Sequence, residues 1–225
     1  MSGHSKWNNI KNKKEKSDAQ RAKIFTKLGR EIAVIVKAGG PNPDSNGKLR
    51  DAIAKARSNN MPNDNISRCI AKAAGEGSGN DYEEITYEGY GPKGVAVIVE
   101  TLTNNRNRTA ADMRHYFDKY GGNLGQTGCV SFMFDKRGVI IINAEEHSDE
   151  DTVMMDALDC GADDFTANDD VYEVLTSPES FSSVREALEE KGYSFLTAEV
   201  QMIPQTMVEL TEEDDIKNMN KLIDM

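Results

Sequence analysis

The chain of 225 residues carries 38 Asp and Glu against 27 Lys and Arg, for a formal net charge of −11, and 38% of it is apolar. No stretch approaches the roughly twenty consecutive apolar residues that a membrane span needs, and no apolar run follows the first lysines as a secretory leader requires. The length suits two or three small domains; Cys69, Cys129 and Cys160 are far apart, never form C-x-x-C, and read as reduced thiols of a cytoplasmic protein.

The charge is divided along the chain. Residues 1–80 hold 16 basic and 7 acidic side chains, a net of +9, whereas residues 81–225 hold 11 and 31, a net of −20. Lys6, Lys11, Lys13, Lys14 and Lys16 surround Trp7 with no apolar run between them. Residues 1–17 therefore read as a basic flexible tail that can neutralise phosphates and stack its one indole on a base. The competing reading is a solvated tail, the usual fate of lysine-rich ends.

Ser17 and Gln20 form a capping-box pattern that opens a helix. Ile24, Leu28, Ile32, Ile35 and Val36 then recur at helical spacing until Gly39-Gly40-Pro41. Asp44 or Ser45 is placed to cap a second helix carrying Leu49, Ile53 and Ala56. Asn63 is placed to cap a third, with Ile66, Ile70 and Ala73, closed by Gly75. Residues 18–80 thus read as a helical bundle, and GEGSGND (75–81) as a hinge.

From Glu83 the period changes to that of strands. EITYEGY, GVAVIVETL, the helix NRNRTAADMRHYFDKY and the run CVSFMF give β-β-α-β. GVIIIN, a helix at 149–160, DFTAN, VYEVLT, a helix at 178–191 and YSFLTAEVQMI give βαββαβ, the order of a ferredoxin-like sandwich. The strand TMVEL and an acidic helix from Thr211 are left over and return to the middle domain. The expected fold is α+β: a three-helix bundle followed by two ferredoxin-like sandwiches, the second inserted in the first. The middle domain is then discontinuous (82–134 plus 205–225) and the insert covers 135–204.

Motifs for bound cofactors or metals do not hold up. Gly89-Tyr90-Gly91-Pro92-Lys93-Gly94 matches G-x-G-x-x-G, but a β-rich run follows where a dinucleotide site needs a helix, so a hairpin loop is expected. Gly40 to Gly47-Lys48 is too long for a phosphate loop, and Leu49 stands where a hydroxyl is required. His4, His115 and His147 are scattered, and the Asp159–Asp170 carboxylates lack calcium-loop spacing. With no nucleophile matched to a base, the expectation is a protein that is not an enzyme and takes no cofactor. Arg106 and Arg108 stand out at the start of the middle domain's helix, where the helix dipole favours anions. They call for a phosphate partner or for neighbouring acids.

Seven segments together carry a resemblance: MSGHSKWNNIKNKK, AQRAKIFTKLGREI, NNMPNDNISRCI, YEGYGPKGVAVIVE, NRNRTAADMRHYF, GGNLGQTGCVSFMF and QMIPQTMVEL. In order and over nearly the whole chain they resemble the YebC/PmpR family. Asn63 and Lys93 depart from its usual Lys and Gly. The resemblance implies the layout above and a non-enzymatic regulator of gene expression. The family is usually labelled as DNA-binding transcriptional regulators of the bacterial cytoplasm, and it includes the mitochondrial translational activator of cytochrome c oxidase. Some bacterial relatives are regarded as ribosome-associated factors that help synthesis through proline-rich stretches.

Taken with the charge pattern, the expected partner is nucleic acid, either promoter DNA or ribosomal RNA. Lys6, Lys11, Lys13, Lys14, Lys16, Arg21 and Lys23 would contact phosphates, Trp7 would stack, and Arg106 and Arg108 would form a second contact. A further class is a scaffold whose acidic domains bind basic partners such as ribosomal proteins.

Overall fold

The computed structural model describes residues 18–75, 82–168 and 170–225, with side chains from Arg21 onward. It is a mixed α/β fold with a helical N-terminal region and two antiparallel sheets, as the residue pattern leads one to expect. The chain divides into two compact units, described separately below. One comprises Met1–Ser78 with Lys136–Gln201, and the other Gly79–Asp135 with Met202–Met225.

In the first unit, helices α1 (Asp18–Gly39), α2 (Gly47–Ser58) and α3 (Asn63–Ala74) form the bundle. Leu28, Ile32 and Val36 of α1 pack against Leu49, Ala52 and Ala56 of α2 and Ile66 and Ala73 of α3. The α1–α2 corner depends on one buried side chain, Asn46. Its Oδ1 accepts from Leu49 N–H at 3.2 Å and caps α2, so the cap is neither Asp44 nor Ser45. Its amide donates to Gly40 O (2.9 Å) and Ile35 O (3.3 Å), satisfying carbonyls at the end of α1. Asn63 is likewise not a cap: Pro62 occupies that place, and Asn63 Oδ1 accepts from Arg57 Nε at 3.1 Å.

The remainder of the first unit is built from β4 (Phe134–Asn143), α5 (Glu150–Asp159), β5 (Asp164–Ala167), β6 (Val171–Thr176), α6 (Phe181–Glu190) and β7 (Phe195–Pro204). Strands β1 (Glu83–Tyr90), β2 (Ala96–Thr103) and β3 (Asn123–Leu124) and helix α4 (Arg106–Lys119) precede them in the chain and belong to the second unit. The sheet order is β5-β6-β4-β7, the split βαβ arrangement, with Ile140 opposite Val174 and Asp164 opposite Leu175. Ile140 and Ile142 enter one core with Val153, Ala157, Val184 and Leu188. Val139 and Ile141 are buried as well, so β4 is covered on both faces.

This sheet domain joins the bundle through charge. Arg185 on α6 is only 3% exposed, and its guanidinium meets three carboxylates: Asp51 on α2 (3.0 Å), Glu189 (2.7 Å) and Glu186 (3.3 Å). Ser182 donates to the second oxygen of Asp51. Arg50 on α2 reaches Glu186 at 2.6 Å, and Lys55 sits between Glu31 on α1 and Glu199 on β7, each at 3.1 Å.

In the second unit, β1 (Glu83–Tyr90), β2 (Ala96–Thr103) and β3 (Asn123–Leu124) form a sheet in the order β2-β1-β3. Helix α4 (Arg106–Lys119) lays Phe117 on it, over Gly89, where a Cβ would collide with the ring and with Asn123 O. The G-x-G-x-x-G segment is the β1–β2 hairpin loop, a single 3₁₀ turn at Pro92–Gly94. Helix α7 (Glu213–Ile223) brings Met219 and Leu222 to that loop. Two expected strands are absent. CVSFMF is a turn followed by a 3₁₀ turn at Ser131–Met133, with regular strand starting at Phe134. TMVEL forms no strand, because Pro204 ends β7 and only Gln205 N–H continues the pairing, to Met133 O at 2.9 Å.

Replacing Arg185 with Ala removes the buried member of the network, and with it the charge-assisted hydrogen bonds that join α2 to α6, and is expected to cost about 1.5–3 kcal/mol. Arg50→Ala removes a more exposed pair and should cost clearly less. Chemical denaturation of both variants followed by far-UV circular dichroism separates the two; equal losses would contradict the central role of Arg185.

Candidate nucleic-acid interface

Helix α1 places its charged residues by simple rotation. At 100° per residue, Lys23, Lys27, Arg30 and Lys37 fall on the side opposite Leu28, Ile32 and Val36, and all four are exposed. The stripe runs for about 21 Å along the axis at 1.5 Å per residue. Arg21 is also exposed, but it precedes Leu28 by one heptad and lies on the core side of the helix, away from Lys23. Residues 18–75 hold 11 basic and 5 acidic side chains. Glu31 and Asp51 are drawn into the ion pairs with Lys55 and Arg185, which leaves the outward face of α1 with cations only.

Arg106 and Arg108 lie in the second unit, in the first turn of α4, a turn with no acidic residue. Asn105 caps it, its Oδ1 accepting from Arg108 N–H at 3.0 Å. The Arg106 side chain is 70% exposed and comes no nearer than 3.9 Å to Glu83. Arg108 donates to Asn104 Oδ1 at 3.0 Å, which holds its guanidinium beside the amino end of the helix. Lys6, Trp7, Lys11, Lys13, Lys14 and Lys16 lie outside the described residues, as does Ser17 of the capping box. Among the described residues no three His, Cys, Asp or Glu side chains converge as a metal site, and no helix is long and apolar enough to cross a membrane.

Residues 5–76 match the TACO1/YebC protein N-terminal domain, and residues 82–225 match the TACO1/YebC second and third domain. The chain belongs to the TACO1/YebC family. A relative from Acetivibrio thermocellus, named "Probable transcriptional regulatory protein", is 63% identical over 224 residues, covering 100% of this chain and 93% of its own length. One from Clostridioides difficile with the same designation is 61% identical over 217 residues, covering 96% and 91%. The crystal structure of a conserved hypothetical protein from Aquifex aeolicus superposes with a TM-score of 0.79 at 44% identity, over 92% of this chain and 86% of that one.

Lys27, Arg30 and Lys37 were not singled out by residue spacing, although the same rotation that buries Leu28 and Ile32 exposes them. A second feature was hidden in the glycine-rich loop 121–128. The Glu88 carboxylate on β1, 4% exposed, accepts N–H bonds from Gly128 (2.7 Å), Val130 (2.9 Å) and Ser131 (2.8 Å). Gly128 reaches it with φ +90, a left-handed conformation that costs glycine little. Two of these donors, Val130 and Ser131, lie in CVSFMF and are taken from any ladder, which is why that part of the run is not a strand. Burial alone would raise the carboxyl pKa; the backbone donors, helped by the Ser131 hydroxyl, outweigh it and hold the group below its ordinary value.

A depressed folded-state pKa contributes stability that is complete above the unfolded-state value, near pH 4.5, and is lost as pH falls through the folded value. Glu88→Gln replaces one acceptor by an amide N–H facing backbone donors. It should lower stability at pH 7 by about 1–3 kcal/mol and weaken the dependence of stability on pH below about 4.5. Amide exchange at Gly128, Val130 and Ser131 should accelerate. Unchanged exchange there would remove Glu88 as the loop's anchor.

Proposed function

We propose that this protein is a non-enzymatic regulator of gene expression that acts in the cytoplasm by binding nucleic acid through its helical N-terminal region. The observation that carries this reading is the cationic stripe on α1, on a bundle whose inward acids are engaged by Lys55 and Arg185. Lysines at i and i+4 rise about 6 Å, close to the phosphate spacing along a strand, and each neutralised phosphate releases counterions. Lys6, Lys11, Lys13, Lys14 and Lys16 would extend the same contact, with Trp7 stacking, and Arg106 with Arg108 would hold a second phosphate group. The designation of the relatives as transcriptional regulators supports the regulatory part of the proposal.

Our reading takes promoter DNA as the target, where a transcriptional regulator, the designation of the relatives, would act. The net charge of −20 over residues 81–225 favours the alternative, a folded ribosomal RNA touched at separate points, over a long duplex lying across the molecule. Ribosomal proteins are the corresponding protein partners.

Titration of labelled duplex and structured RNA at several salt concentrations tests the proposal. Lys23→Gln with Lys27→Gln should reduce the slope of log K against log salt by about 2 for duplex, and Lys11, Lys13 and Lys14 changed together to Glu should flatten it further. A slope equal to that of the unaltered protein in both variants sinks the reading. A promoter-to-random-duplex ratio of about 10³ or more selects DNA. A ratio near one with co-sedimentation on ribosomes selects RNA.

A further inference from the structure

The second unit carries a feature that phosphate binding leaves unexplained. Phe132 is 68% exposed, Met207 54% and Val208 60%. Gln205 N–H donates to Met133 O at 2.9 Å and Gln205 Nε2 donates to Asp135 Oδ1 at 3.1 Å, which ties the start of the segment carrying Met207 and Val208 to the turn carrying Phe132. Phe132 is not on a loose loop. It follows Val130 and Ser131, whose N–H groups are held by the buried Glu88 carboxylate, and Val130 is fully buried. A buried charge therefore fixes the turn that holds an aromatic ring in water, the reverse of what apolar burial favours.

The surroundings identify the occupant. Residues 121–135 and 202–216 contain six carboxylates; Lys136 and Lys217 adjoin these segments and Lys93 pairs with Asp215 at 3.6 Å, so the carboxylates outnumber the cations. Glu209, Glu212 and Glu213 are exposed. Such a rim repels nucleic-acid phosphates and anionic lipid headgroups, and it repels a second copy of itself. It complements a polypeptide with apolar side chains flanked by Lys or Arg. We propose that Phe132, Met207 and Val208 form a preorganised docking surface for a basic, aliphatic polypeptide segment of a partner protein, with Phe132 as the anchoring side chain. Aromatic anchors held rigid before binding dominate such contacts.

The probe is a labelled 18-residue amphipathic peptide of Leu and Lys, titrated into the full chain by fluorescence anisotropy, with a Leu/Glu peptide as its counterpart. The Leu/Lys peptide should bind and the Leu/Glu peptide should not. Phe132→Ala and the pair Met207→Ala with Val208→Ala should each weaken binding about tenfold or more. Met155→Ala, which trims an exposed methionine on α5 in the first unit, should leave it unchanged. All these side chains are exposed, so the thermal midpoint should hardly move, and that is measured on the same samples. Equal affinity for the Leu/Lys peptide in Phe132→Ala and the unaltered chain overturns the proposal. So does a concentration-dependent dimer, seen by light scattering, that Phe132→Ala dissolves, which would make the occupant a second copy. Loss of RNA affinity in Phe132→Ala would overturn it in favour of a stacked base.

Discussion

The guanidinium of Arg185 is the interaction on which the first unit depends. A cation 3% exposed is costly to bury, and only the arrangement around it makes the burial tolerable: Asp51, Glu186 and Glu189 within hydrogen-bond reach and Ser182 on the far side of Asp51. Two of the acids are on its own helix, α6, and one is on α2. The bundle ends at Ala74 and the sheet domain begins at Phe134, and the two are joined here by a side-chain pair 134 positions apart. Arg's planar fork suits this role in a way Lys does not, since three acids are engaged from three directions.

The same network shapes the outer surface. Helices α1 to α3 are basic and the sheet domain of this unit is strongly acidic, with 17 acidic and 4 basic side chains in residues 136–201. Where the two meet, the bundle contributes Asp51 and Glu31, and the sheet domain contributes Arg185 and Glu199, with Lys55 between two of the carboxylates. Lys55 loses hydration there, yet Glu199 and Glu31 more than offset the loss and hold its ammonium pKa above the ordinary value. Acids that would otherwise dilute the positive face are thereby turned inward. The cationic stripe on α1 follows from which charges the docking consumes as much as from which residues the helix contains.

Much of this was legible in the sequence. The spacing of Leu28, Ile32 and Val36 gave α1 and its core face, and GVIII gave β4 because a central strand is apolar on both sides. The misread segments were misread for local reasons. CVSFMF alternates like a strand, but a carboxylate more than forty residues earlier takes the N–H groups of Val130 and Ser131. TMVEL has strand composition, yet it follows a proline that ends the ladder. Asn46 outcompetes Asp44 and Ser45 as a cap because an amide, unlike a carboxylate or a hydroxyl, can accept from α2 and donate twice to the end of α1. At the candidate interface Lys23 was found by sequence charge and Lys27 by rotation about the helix. The burial of Arg185 was invisible, since an arginine on an amphipathic helix is assigned to solvent until its partner is known.

Two kinds of surface result, and they respond differently to their surroundings. The phosphate contacts proposed for Lys23, Lys27 and their neighbours would weaken steeply with salt, because their driving force would be counterion release. A contact anchored by Phe132 draws on apolar burial, which salt does not screen, with the carboxylate rim adding only a modulating term. Because the cations lie on α1 and the apolar anchors on the turn that Glu88 holds, neither surface requires residues of the other. A chain with both can stay attached to a protein while its hold on nucleic acid is tuned by ionic conditions, or the reverse. On the proposed reading, that independence would let the protein hold a nucleic acid and a basic polypeptide separately. The division of charge, +9 over residues 1–80 and −20 over residues 81–225, suits such a separation.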